Sequence, residues 1–124
     1  MYSEPEIELF DVVNCKLNDN EKIYYGGNQF FSHFKDLGRT FSYDFVYKNK
    51  VIEFNGDYWH CNPKKYNKNY FHKYLQLSAF DVWERDKMKN NAIQEQGFDV
   101  LVIWEDDYKQ NRNKVIQECI EFLK

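Results

Sequence analysis

The sequence predicts an α/β (α+β) fold in which a central mixed β-sheet is flanked by helices. Two stretches carry this expectation. Residues 41–61 read as two aromatic and β-branched strands joined by a tight polar turn, an antiparallel hairpin. Farther along, a helical stretch closed by Gly97 leads into residues 98–104, whose continuous Val-Leu-Val-Ile run is the pattern of a strand buried on both faces. Strand, helix and strand then form a crossover, which sets residues 98–104 parallel to the second hairpin strand.

The other elements follow in chain order. Ser3-Glu4-Pro5-Glu6 is a capping box that opens a helix reaching to about Lys16, with Ile7, Phe10, Val13 and Leu17 as its apolar stripe. Glu6 stands at the end of that stripe, and by spacing alone it closes the cap. Residues 18–21 are a polar break. Residues 23–25 suit a short strand and Gly26-Gly27 a turn, while residues 28–37 are aromatic and compatible with a helical turn ending at Gly38. His33 has no evident partner and reads as structural. The helix at residues 78–96 buries Ala79, Val82, Trp83 and Ile93, and places Asp86 on the same side. Asp106-Asp107 begins a last helix to Lys124, with Val115, Ile116, Cys119, Ile120 and Leu123 inward.

A chain of 124 residues suits one domain, residues 1–124, with one core. With 43% hydrophobic residues it is built to pack, and 19% aromatics make ring packing a large part of that core. No apolar run approaches the roughly 20 residues of a membrane span, and no secretory signal opens the chain. Three scattered cysteines, an odd number, point to a reduced, intracellular protein. The net charge of −3 does not advertise a nucleic-acid binder, yet residues 64–74 carry four lysines, one histidine and no acid.

The hairpin holds the most informative chemistry. A two-residue loop of Lys48 and Asn49, with Asn49 able to take a positive φ, pairs Tyr47 with Lys50, Val46 with Val51 and Phe45 with Ile52. Asp44 then falls opposite Glu53, with facing Cβ atoms about 4.5–5.5 Å apart. Two such carboxylates repel unless something positive sits between them, and a Mg2+ ion suits two hard oxygen ligands. A three-residue loop would instead put Asp44 opposite Phe54, and an exposed face of ordinary acids is the plainer alternative. Asn55 shares a face with Glu53, Gly56 allows a sharp exit, and His60 returns near the strand end, where imidazole can move protons. Asp86, an acid on an apolar stripe, must be paired or used, and Arg85 or Lys89 would serve as its partner. Residues 62–74 interleave lysines, amides and rings, which suits phosphate and base contacts or a solvated loop.

Ile-Glu-Phe-Asn-Gly-Asp-Tyr-Trp-His, preceded by Tyr-Asp-Phe and followed by Trp-Glu-Arg-Asp and Val-Ile-Trp-Glu, resembles the very-short-patch-repair endonucleases. It is also similar to phage-encoded homing endonucleases of the EDxHD type, and both groups belong to the PD-(D/E)XK superfamily. The resemblance spans most of the chain. It implies a restriction-endonuclease-like core and metal-dependent hydrolysis of double-stranded DNA, with Mg2+ as cofactor and Mn2+ able to substitute. It implies Asp44 and Glu53 as metal ligands, and Glu6, Asp44, Glu53, His60 and Asp86 as the catalytic set. Glu6-Ile7-Glu8-Leu9 matches a Glu-x-x-Leu pattern and Glu84-Arg85-Asp86 a Glu-Arg-Asp segment. Asn55, Trp59, Lys64, Lys65, Lys68, Lys73 and Lys87 are the expected DNA contacts.

Two departures matter. The superfamily's lysine, two residues after the second acid, is replaced by Asn55, so His60, with Lys87, must do its work. The structural zinc of the very-short-patch enzymes is not expected, because the positions around His60 and Cys61 read Asp57, Asn62 and Lys64. That favours the phage homing-type branch. The alternatives are a non-catalytic nucleic-acid-binding module on the same scaffold, or a nuclease directed at mismatches or junctions.

Overall fold

The computed structural model describes residues 2–17 and 21–124, so residues 18–20 of the expected polar break lie outside the described residues. The elements are α1 (Glu4–Lys16), β1 (Ile23–Phe34), a 3-10 turn (Lys35–Leu37), β2 (Arg39–Tyr47), β3 (Lys50–Asn55), β4 (Phe71–His72), β5 (Leu77–Ser78), α2 (Ala79–Glu95), β6 (Asp99–Trp104), α3 (Glu105–Gln110) and α4 (Arg112–Leu123). The main sheet runs β1-β2-β3-β6, antiparallel across the first three strands, with β6 parallel to β3. This is an α+β fold with a mixed central sheet flanked by helices, as expected. Among the described residues no helix is long and apolar enough to cross a membrane.

Strand alternation divides the core between the two faces of the sheet. Phe45, Ile52 and Phe54 pack with Leu9, Phe10 and Val13 of α1 and with Val115, Cys119 and Leu123 of α4. Val46 and Val51 point the other way and pack with Tyr43 and with Ala92 and Ile93 of α2. Tyr43 and Val46 share a face although they are an odd three positions apart, so β2 departs from strict alternation in between, where Asp44 stands. The hairpin has the expected register, Phe45↔Ile52, Val46↔Val51 and Tyr47↔Lys50. The positive φ of its loop falls on Lys48, at 53°, rather than on Asn49.

Four expectations are corrected. Residues 28–34 belong to β1 and are not a helical turn, because their rings pair across to β2 and pack on α2. The register shifts between Tyr25↔Phe45 and Phe30↔Tyr43, so β1 bulges where Gly26 takes a φ of 57°. The buried stripe of α1 is Glu6, Leu9, Phe10 and Val13, whereas Ile7 and Leu17 are only partly covered. The C-terminal helix is two helices, broken at Asn111 (φ −147°, ψ 75°), whose side-chain oxygen accepts the Lys114 N–H and caps α4. Finally, β6 is an edge strand, so only Ile103 of its apolar run is fully buried. α2 begins and ends where expected, although Trp83 is only partly covered: Ser78 caps it by accepting the Asp81 N–H at 3.2 Å, and Gly97 follows its end with a φ of 92°.

Gly26 is buried, and a Cβ there would come within 3.0 Å of the Ile7 side chain besides forcing a left-handed backbone. Gly26→Ala is expected to lower stability by about 1–2 kcal/mol, seen as a lower urea midpoint at unchanged m-value. An unshifted midpoint would show that the bulge relaxes freely.

Candidate active site

The β2–β3 ladder stops at Phe45↔Ile52. At the next position, where Asp44 faces Glu53, side chains replace the main-chain pairing. The Asp44 N–H donates to Glu53 Oε1 at 3.2 Å, and the Phe54 N–H donates to Asp44 Oδ2 at 2.9 Å. The two strands are held together here by the two carboxylates themselves. Both acids open into a cleft of about 390 Å3 whose walls also include Glu6, Trp59, His60 and Lys89.

The Glu6 N–H donates to Ser3 Oγ at 3.4 Å, and its carboxyl, buried on the inner stripe of α1 and held in part by the Ser3 backbone, lines the cleft. Burial first, and then repulsion from Asp44, push the Glu6 carboxyl up from 4.5 to about 8. Glu53, only 4% exposed, is likewise pushed well above the usual carboxylate range by burial and by Asp44, with Lys89 opposing. Lys89 Nζ lies 3.1 Å from Glu53 Oε2 and 5.0 Å from the centre of the Tyr43 ring. The Tyr43 hydroxyl in turn donates to the Lys89 carbonyl at 2.8 Å, which fixes this turn of α2 against the sheet.

Beyond β3, a tight sequence of turns brings His60 back to the cleft. Its N–H donates to the Gly56 carbonyl at 3.0 Å, and Cys61 takes a φ of 50°. Asp57 locks these turns to the start of α3, accepting from Asn62 Nδ2 (2.9 Å), Lys65 Nζ (3.2 Å) and the Asp106 N–H (3.3 Å). Burial alone would raise the Asp57 carboxyl, but Asn62 and Lys65 more than offset it and hold it below the usual range. From α2, Trp83 Nε1–H donates to the Cys61 carbonyl at 2.7 Å. Asp86 Oδ2 lies 2.7 Å from His60 Nδ1. With Nδ1–H committed to Asp86, Nε2 is the nitrogen left to accept a proton.

The structure thus gathers Glu6, Asp44, Glu53 and His60 in one cleft, with Asp86 behind His60 and 3.9 Å from Arg85 Nε, one of its two expected partners, rather than paired to Lys89. Trp59 is 46% exposed at the rim. Two expected residues fall elsewhere. Asn55 is 6% exposed, pairs with Trp104 in the sheet and does not line the cleft, so its side chain is not placed to meet DNA. Lys87 lines a separate groove between α2 and the tip of the β1–β2 hairpin. Lys65 bridges Asp57 and Asp106 as part of the clasp, and Lys64 approaches Asp107 at 3.5 Å while remaining 73% exposed. Lys68 and Lys73 are exposed. Lys89 is the residue that sequence reasoning left unassigned to the site. Its signal was its place one helical turn beyond Asp86, which sets the two on one face of α2.

Among the described residues, no three carboxylate, imidazole or thiol side chains converge as a ready-made metal centre. The donors present, two facing carboxylates with a third, Glu6, close enough to repel Asp44, fit a hard cation that is completed by water and substrate oxygens. Compared with known proteins, the chain matches no family model, no curated protein and no solved structure.

The raised carboxyls have a thermodynamic consequence. Between its unfolded value of 4.5 and its folded value of about 8, Glu6 holds a proton in the folded state that it loses on unfolding. The folded state then binds more protons, so stability falls as pH rises through that window. Without divalent ions, the wild-type denaturation midpoint is expected to drop more steeply from pH ~5 to ~8 than that of Glu6→Gln. Parallel slopes in urea titrations with EDTA would contradict the assignment.

Proposed function

We propose that this protein is a Mg2+-dependent DNA endonuclease with a restriction-endonuclease-like core. One observation carries the reading: the facing pair Asp44–Glu53 and the pair His60–Asp86, from four separate places in the chain, meet at a single cleft. Bound by Asp44 and Glu53, Mg2+ would supply positive charge to polarise the scissile phosphate. Nε2 of His60 accepts the proton of the attacking water as its oxygen bonds to phosphorus and the P–O bond to the leaving nucleotide breaks. Asp86 holds the imidazole in orientation and stabilises its charged form. Lys89 supplies the cationic charge that Asn55 lacks, from the helix instead of the strand. The buried Glu6 carboxyl, in the wall of the same cleft, positions water. Trp59 at the rim and the exposed Lys64, Lys68 and Lys73 suit stacking and phosphate contacts with double-stranded DNA.

A second reading, a binding module without catalysis, draws on the Lys89–Glu53 ion pair, which neutralises part of the acid cluster with no metal at all. Supercoiled plasmid separates the two. Wild-type protein is expected to cut it with Mg2+ and to stop in EDTA, and Asp44→Asn, which keeps an acceptor for the Phe54 N–H, is expected to fold and bind yet not cut. Binding without cutting at any Mg2+ concentration would favour the module.

His60→Ala is expected to slow single-turnover cleavage by about 10²–10⁴-fold, without changing the Mg2+ concentration needed for half-maximal rate. Full recovery at high Mg2+ would make His60 a metal ligand instead.

A further inference from the structure

The β1–β2 hairpin is longer than the sheet it belongs to. β3 pairs with β2 only as far as Phe45↔Ile52, whereas β1 and β2 remain paired through five more positions, Phe30↔Tyr43 to Phe34↔Arg39. The overhang leaves the sheet at Asp44, so the arm begins at the cleft. Its two faces differ. Phe30, Phe34, Phe41 and Tyr43 turn toward α2 and pack with Ala92 and Ile93. By alternation the pairs Phe31↔Ser42 and His33↔Thr40 fall on the other face, although near the tip His33 also borders the groove against α2. Phe31 is 64% exposed, and His33 Nδ1 lies 2.8 Å from Thr40 Oγ1. At the tip, Lys35 and Arg39 are exposed and make no ion pair among the described residues, and Asp36 is the one acid.

We infer that the outer face of this arm is a DNA-reading element that lies in the major groove beside the scissile phosphate. The inference rests on the nuclease reading of the cleft. A two-stranded ribbon fits a major groove about 12 Å wide. Thr40, Ser42 and the free nitrogen of His33 have the donors and acceptors that base edges require, and an exposed Phe31 suits the thymine methyl group. Lys35 and Arg39 match the flanking phosphates in charge. From Asp44 the arm extends roughly 17 Å, at about 3.4 Å per residue, or half a turn of duplex. The base pairs it reads therefore lie within about five of the cut, on one side only.

The test uses the intact protein and a duplex containing its mapped cut site, premethylated with dimethyl sulfate, which marks guanine N7 in the major groove and adenine N3 in the minor groove. Wild type is expected to show guanine N7 interference on one side of the cut. A Phe31→Ser, His33→Ala, Thr40→Ala triple variant is expected to lose it. Lys35→Ala with Arg39→Ala, at the solvent-exposed tip, is expected to bind at least tenfold more weakly, with a log–log salt slope shallower by roughly one unit per lost phosphate contact. Both variants should cut at the wild-type rate when DNA is saturating. Unchanged interference, affinity and salt slope in both variants would overturn the arm assignment and leave the nuclease reading standing, as would interference at adenine N3 alone. A wild-type protein that neither binds nor cuts DNA would overturn both.

Discussion

The structure depends on a repulsion that the fold keeps in place. Asp44 and Glu53 face each other where two strands part, and each accepts a main-chain N–H from the opposite strand. Neither carboxylate can move away without leaving a backbone donor unpaired, which costs about 1–3 kcal/mol when buried. The acids are therefore anchored by the same bonds that hold β2 to β3. Around them the molecule supplies partial compensation, with Lys89 against Glu53 and a raised proton affinity at Glu6. An array of this kind favours whatever positive charge can enter it.

The turns after β3 are built with comparable economy. A glycine exit, a left-handed Cys61 and an aspartate buried under three donors return His60 to the cleft within a few residues. Because Asp57 also accepts the Asp106 N–H, the position of His60 is tied to the point where β6 ends and α3 begins. Asp86 is held from the other side by α2, which is secured through Trp83 and Tyr43. The His60–Asp86 distance thus reflects the packing of two helices against one sheet.

Much of this was legible in the sequence for local reasons. The two-residue loop specified the hairpin register and so the facing acids, and Ser78 and Gly97 marked the ends of α2. The crossover made β6 parallel to β3. What was not legible depended on partners distant in the chain. Residues 28–34 carry rings that suit helix or strand, and only pairing with β2 decides between them. The break at Asn111 is a local cap inside an otherwise continuous helical pattern. Lys65 looked like a phosphate ligand until Asp57 and Asp106 were brought to it. Lys89 looked like a partner for the nearby Asp86, but the packing of α2 on the sheet delivered it to Glu53. The chemistry of each residue was readable, whereas the identity of its neighbour required the fold.

The Lys89–Glu53 pair has one further consequence. A cluster of buried acids is ordinarily a burden during synthesis, when the ion meant to fill it is scarce and the chain must collapse around unbalanced charge. Here the counter-charge is covalently attached and arrives with α2 as that helix docks. Such a molecule can fold with its acids already balanced, and its lifetime is then set by its own packing and not by an external source of positive charge.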